Sequence, residues 1–127
     1  IGKLASEIAI HNKLRTSILK YQRSFCKLPG LVAEGRDMTS VVFPDANLKI
    51  YLNASVDERA KRRYKQLLSK GNDVNLSDLT QEITIRDKRD KDRKVSPLIK
   101  VKEAYVIETD NLSEDETVNK ILSLLNE

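Results

Sequence analysis

Three short apolar runs constrain this chain more than any other feature. Leu31-Val32-Ala33, Leu48-Lys49-Ile50-Tyr51-Leu52 and Ala104-Tyr105-Val106-Ile107 are each of strand length. Near-continuous apolar runs of this kind suit strands covered on both faces, as in a parallel sheet. Stretches of helical periodicity separate them. The order strand, helix, helix, strand, helix predicts an α/β fold, a parallel sheet covered by helices. The 127 residues are read as a single domain, long enough for a hydrophobic core. In such sheets ligands bind beyond the carboxyl ends of the strands, which directs attention to residues 34–37 and 53–55.

Between the strands, local signals mark the helices. Leu4, Ile8, Leu14, Ile18, Leu19 and Phe25 recur at helical spacing, with a break expected near His11–Asn12 and a stop at Leu28-Pro29-Gly30. Ser55 with Glu58 three residues later forms a capping box. It opens a helix through Arg59, Arg62 and Arg63 to about Lys70, with Gly71 as its C-cap. A second capped helix is expected from Ser77, through Ile83, into the charged stretch Arg86–Lys94, stopped by Ser96-Pro97. Ser113 and Glu116 cap a last helix whose Val118, Ile121, Leu122 and Leu125 are expected to face the core.

Several function classes are excluded early. The four glycines stand at positions 2, 30, 35 and 71. Gly30 and Gly35 have the G-x-x-x-x-G spacing, but Arg36-Asp37 follow instead of Lys and Ser or Thr, so there is no G-x-x-x-x-G-K-[ST] phosphate loop, and no pair has the G-x-G spacing of a dinucleotide fingerprint. Cys26 is the only cysteine, which leaves no intrachain disulfide and no cysteine metal site. It is read as a small core filler in a reducing, cytoplasmic compartment. No apolar run approaches the roughly 18 residues of a membrane span, so no membrane partner is expected. Lys and Arg number 23 against 19 Asp and Glu, a net charge of +4. That excess suits a phosphate-bearing partner and is also common in plain soluble proteins. Aromatic residues are 5% with no tryptophan, and none interleave with the basic run, which argues against nucleic-acid binding by base stacking. His11 has no partner at ligand spacing and is read as a surface or helix-end residue.

Three clusters remain as chemical candidates. The nine residues Arg86-Asp87-Lys88-Arg89-Asp90-Lys91-Asp92-Arg93-Lys94 hold six cations and three anions. On a helix, Arg86, Asp90 and Arg93 share one face, so Asp90 can hold both guanidinium groups while they point at an anion. Arginine forks match phosphate oxygens bidentately. The plain alternative is a solvated, salt-bridged helix face. Arg59, Arg62 and Arg63 form a second basic group at the binding edge of the expected sheet, again with surface charge as the alternative. Glu34 and Asp37 flank Gly35-Arg36 after the first strand. There a carboxylate suits metal-bound water or a substrate amino group, and Arg36 suits a phosphate; the alternative is a polar loop.

Leu31-Val32-Ala33-Glu34-Gly35-Arg36-Asp37-Met38, then Val41-Val42-Phe43-Pro44-Asp45-Ala46, with Ile85-Arg86-Asp87, Arg89-Asp90, Arg93 and Ser96-Pro97-Leu98 downstream, resembles the bacterial cytidylate kinases. The resemblance runs from Ala5-Ser6 to the final helix. It implies a P-loop NTPase core of the nucleoside monophosphate kinase type, incomplete at its N-terminus. The implied reaction transfers the γ-phosphoryl group of ATP to CMP or dCMP with magnesium (Mg2+). By position, the resemblance has Ser6 and Arg15 contacting cytosine, Asp37 accepting from its exocyclic amino group and Arg36 taking the CMP phosphate. Arg86 and Asp90 would hold the sugar, and Arg93 would reach the base or the phosphates. Arg36, Arg86 and Arg93 are thus the candidate catalytic residues. Arg59, Arg62 and Arg63 would lie near the ATP phosphates, with a mobile lid over about 64–91.

Two positions depart from the family. Thr39-Ser40 stand where it usually has glycine and threonine, so the turn is expected to differ; Glu34 stands where aspartate is common, which would move a metal-bound water. The family's Walker A loop, first strand and first nucleotide-binding helix would all lie ahead of Ile1, so this chain alone is expected to be inactive. A full-length monomer is expected, acting on CMP or dCMP and ATP with no nucleic-acid partner. The alternative is a non-catalytic nucleotide- or nucleic-acid-binding module.

Overall fold

The break in apolar periodicity falls where the sequence puts it. α1 spans Gly2–Ile8 and α2 spans Asn12–Ser24, and His11 between them takes the extended backbone of an N-cap. The lone histidine is therefore a helix-end residue. This computed structural model describes residues 2–9 and 11–125, with the side chains at 2, 3 and 6 outside the description. Two compact units emerge, one from Ile1–Asn47 with Arg86–Lys102 and the other from Leu48–Ile85 with Glu103–Glu127.

The second unit holds the sheet. β1 (Ile50–Asn53) and β2 (Tyr105–Glu108) run parallel, with Ile50 opposite Tyr105 and Asn53 opposite Glu108. Both strands thus end at one level, where the Asn53 amide donates to the Glu108 carboxylate at 2.9 and 3.1 Å. α3 (Val56–Leu68) begins at Ser55, whose Oγ accepts from the Glu58 amide at 3.2 Å. The expected reciprocal contact is replaced: the Ser55 amide donates to Asp110, while Glu58 pairs with Arg62. Gly71 follows α3 at φ 75°, and the Asn72 amide returns to the Leu67 carbonyl at 3.1 Å. That left-handed exit is one glycine takes at little cost.

α4 (Leu76–Asp92) opens one residue earlier than read from the sequence. Asn75, not Ser77, caps it, its Oδ1 accepting from the amides of Ser77 at 2.7 Å and Asp78 at 3.3 Å. Asn and Ser are near-equal caps, and here the asparagine reaches two donors. At α5 (Glu114–Leu125) the capping box is reciprocal: the Glu116 amide donates to Ser113 Oγ at 3.2 Å and the Ser113 amide to Glu116 Oε2 at 2.8 Å. Among the described residues of this unit, Ala60, Leu79 and Ile107 are the buried apolar ones.

Three expectations are corrected. Cys26, read as a core filler, is exposed, just past the end of α2. Leu31-Val32-Ala33 is irregular rather than a buried strand, and Val32 is 99% exposed. A strand needs a neighbour for its backbone N–H and C=O groups, and among the described residues the sheet has only β1 and β2. The α5 stripe is not buried either: Val118, Leu122 and Leu125 are all exposed, and Ile121 is half-buried. A two-stranded sheet offers little surface for a helix to cover.

Candidate functional site

The first unit is built around a turn. After the irregular 31–34 stretch, Met38–Val42 form a single π-helical turn. The Asp37 carbonyl accepts from the Val41 and Val42 amides at 2.9 and 3.2 Å, and the Met38 carbonyl from Phe43 at 2.7 Å. Thr39 sits inside this turn with no positive φ, so the absent glycine costs the backbone nothing here. Pro44 ends the turn, since it has no N–H to continue it. Val42 and Asp37 are buried.

Onto this turn converge charges from α2 and from the end of α4. A guanidinium Nη2 of Arg15, on α2, donates to Asp37 Oδ2, and its Nη1 donates to the Ala9 carbonyl at 3.3 Å. Arg36 Nη1 donates to Asp87 Oδ1 at 3.0 Å and lies 2.9 Å from Asp90 Oδ2. Asp90 is 1% exposed and faces two more guanidiniums, Arg93 Nη1 at 3.4 Å and Arg86 Nε at 3.7 Å. One buried carboxylate thus gathers three arginines, from positions 36, 86 and 93. The helical spacing predicted two of them; Arg36 comes from a distant stretch of chain.

Past Asp92 the chain turns back on the cluster. Ser96, buried, takes φ 51°, the described non-glycine residue with positive φ. Its carbonyl accepts from Arg93 Nε, and the Leu98 amide donates to the Asp90 carbonyl at 2.7 Å. The Ser96-Pro97 stop expected from the sequence therefore also fixes the direction of the Arg93 side chain.

Electrostatically the cluster is over-supplied with cations. Arg15, Arg36, Arg86 and Arg93 face Asp37, Asp87 and Asp90. Burial lowers the pKa of Arg86, and the neighbouring Arg36 lowers it further. Arg93 is lowered by burial and then by Arg15. Both guanidiniums are partly stripped of water and crowded by like charge, a setting that favours an added anion. Among the described residues no group of three or more His, Cys, Asp or Glu side chains gathers to hold a metal ion.

The other predicted residues fall elsewhere. Ser6 belongs to α1, and its side chain lies outside the described residues. Glu34 is exposed. Arg59, Arg62 and Arg63 lie on α3 in the second unit. There Arg59 Nε donates to the Ala54 carbonyl at 3.1 Å. Arg62 engages Glu58 through Nε at 2.9 Å, Thr109 Oγ1 through Nη1 at 3.2 Å and the Thr109 carbonyl through Nη2. Arg62 thus ties α3 to the end of β2. Residues 64–91 comprise the end of α3, a turn and most of α4.

Sequence reasoning missed Asp87 as a partner of Arg36, and it missed Arg23. Arg23 donates from Nε to the Val42 carbonyl at 2.8 Å and from Nη2 to the Val41 carbonyl at 2.9 Å. No local spacing signals either contact, because the partners are 18 to 51 residues away.

Comparison with known proteins places these features in a family. A family model described as cytidylate kinase matches residues 1–127. The cytidylate kinase of Nitrosomonas europaea is 50% identical over 123 residues, 97% of this chain and 55% of the relative. That of Polynucleobacter asymbioticus is 50% identical over 122 residues, 96% of this chain and 56% of the relative. That of Chromobacterium violaceum is 48% identical over 127 residues, 100% and 57% respectively. The chain spans about half the length of the curated relatives it matches.

Proposed function

The chain belongs to the cytidylate kinase family, and from that premise we propose that the whole protein transfers the γ-phosphoryl group of ATP to CMP or dCMP. A phosphate oxygen of the monophosphate attacks the γ-phosphorus, the bond to the β–γ bridging oxygen breaks, and ADP leaves. The chemistry needs alignment and charge neutralisation rather than a covalent nucleophile. The finer fold assignment, a P-loop NTPase core, follows from the same premise, and the two-stranded parallel sheet with its helices is compatible with it.

One observation carries the reading: the convergence of Arg36, Arg86 and Arg93 on Asp90 beside the Arg15–Asp37 pair. In this proposal Arg36 takes the monophosphate, with Arg93 as a second fork. Arg86 and Asp90 hold the sugar. Asp37, kept in place by Arg15, accepts from the exocyclic amino group of cytosine, and Ser6 adds a polar contact to the base. Arg59, Arg62 and Arg63 serve the ATP side, immediately ahead of a lid over about 64–91. Arg62 would have to exchange its present contacts to Glu58 and Thr109 to do so.

Magnesium belongs to this scheme as a companion of ATP, neutralising phosphate charge. The carboxylates of Asp37 and Asp90 already face guanidiniums, so the described donor set does not fit a resident metal, and no step is assigned to one.

The test uses the full-length protein. ATP-dependent formation of CDP from CMP is expected. Arg86→Ala, whose side chain is 41% exposed and therefore tolerant of truncation, is expected to weaken CMP binding in calorimetry by about 10- to 100-fold. Lys94→Ala is expected to change little. Equal effects of the two variants would remove the ordered cluster from the mechanism, and absence of CDP formation would remove the activity.

A further inference from the structure

We infer that Arg23 is a positioning residue for Asp37, and through it sets the preference for an amino-bearing pyrimidine over uracil. The inference rests on the role proposed above for Asp37. It starts from the end of the π-helical turn. The last carbonyls of a helical turn have no partner within it, and Pro44 removes an N–H where the chain would continue. One guanidinium meets the last two carbonyls of the turn: Arg23 Nε donates to Val42 at 2.8 Å and Nη2 to Val41 at 2.9 Å. Val42 is 2% exposed, so losing this donor would strand a carbonyl away from water, which is costly.

The same two residues close the turn at its other end. Their amides donate to the Asp37 carbonyl at 2.9 and 3.2 Å. Arg23 therefore holds Val41 and Val42 by their carbonyls, and Val41 and Val42 hold Asp37 by its carbonyl. Eight residues earlier on α2, about 12 Å along the helix, Arg15 holds the Asp37 carboxylate. Helix α2 grips the turn at both ends, by the side chain of Asp37 at one and by its backbone at the other.

Specificity follows from the chemistry of the carboxylate. An ionised aspartate only accepts hydrogen bonds. Cytosine offers it an amino donor; uracil offers a carbonyl oxygen, which repels it. The ratio of activity on CMP to activity on UMP therefore reads where the Asp37 carboxylate sits, whereas phosphate binding by Arg36, Arg86 and Arg93 is common to both substrates.

The experiment measures kcat/KM for CMP and for UMP in the full-length protein and in Arg23→Met, Arg23→Lys and Asp37→Asn. Arg23→Met is expected to lower the CMP-over-UMP ratio about tenfold, because CMP loses a placed acceptor and UMP has none to lose. Arg23→Lys keeps the charge but not the two-pronged fork and is expected to fall between wild type and Arg23→Met. Should Arg23→Met fail to fold, the ratio in Arg23→Lys decides. Proportionate losses on both substrates, with the ratio unchanged, would show a merely structural role and overturn the inference. An unchanged ratio in Asp37→Asn would instead overturn the reading of Asp37, and the inference with it.

Discussion

Replacing Asp90 with asparagine removes one charge from the point where three guanidiniums meet. At an effective dielectric constant near 20, each contact over the observed 2.9 to 3.7 Å corresponds to about 4–6 kcal/mol of Coulomb attraction before desolvation. Most of that is cancelled, because Asp90 is 1% exposed and had to shed its water. The three contacts are also unequal. Arg86 Nε, buried but 3.7 Å from Asp90 and without a hydrogen bond to it, on a side chain 41% exposed, carries the smallest share; Arg36 at 26% and Arg93 at 7% carry more. Losing one partner of a buried ion pair typically costs 3–5 kcal/mol, and with one of the three contacts long and not hydrogen-bonded the lower end is expected, about 3 kcal/mol. Urea unfolding of the wild type, Asp90→Asn and the exposed control Asp73→Asn measures it. The control should lie within about 0.5 kcal/mol of wild type. Inorganic phosphate supplies a second readout. It should restore stability more in Asp90→Asn than in wild type, because the arginines have lost their counter-ion. A loss no larger than the control's, or equal stabilisation of both proteins by phosphate, would refute the idea that Asp90 organises the cluster.

Two further perturbations probe single contacts. The Asp110 carboxyl is held below its ordinary value by the Ser55 hydroxyl first and the Ser55 amide second. A carboxyl with a depressed folded-state pKa contributes stability above its unfolded value, lost as pH falls through the folded one. Ser55→Ala should therefore raise the Asp110 titration toward the ordinary range when followed by carboxyl-carbon NMR, and an unmoved titration would show that the hydroxyl is not the cause. Ser96 at φ 51° should tolerate Ser96→Gly with a change within about 1 kcal/mol, whereas Ser96→Val, β-branched in a left-handed conformation, should cost about 2 kcal/mol. Thermal unfolding compares them, and equal midpoints would argue against that backbone geometry.

Features that rest on near neighbours were legible in the sequence. The break at His11, the Ser55 cap, the Ser113–Glu116 box and the Arg86-Asp90-Arg93 face all depend on residues within one or two turns of each other. β1 and β2 were legible as apolar runs because each pairs with the other. Leu31-Val32-Ala33 is likewise apolar and is no strand, since apolar character does not supply a neighbour to pair with. The Asn75 cap was obscured by a serine two residues on that qualifies equally by type. Arg36 on Asp87 and Arg23 on Val41 and Val42 were hidden for a different reason. Their partners are set by how the chain returns on itself, which spacing along one helix does not encode.

The joining of Arg36 to Asp87, 51 residues away in the chain, also bears on the order of folding. Closing a loop of that length costs roughly 3–4 kcal/mol of chain entropy, and this cost precedes any reward from the ion pairs. Helices α2 and α4 rest on local contacts, whereas the ion pairs of Arg36 require that long loop to be closed. A ligand that binds the assembled cluster and not the unfolded chain stabilises the folded state by RT ln(1 + [L]/Kd), about 2.7 kcal/mol when ligand stands at 100 times Kd. That is close to the cost of closing the loop, so an occupant of the cluster would offset it.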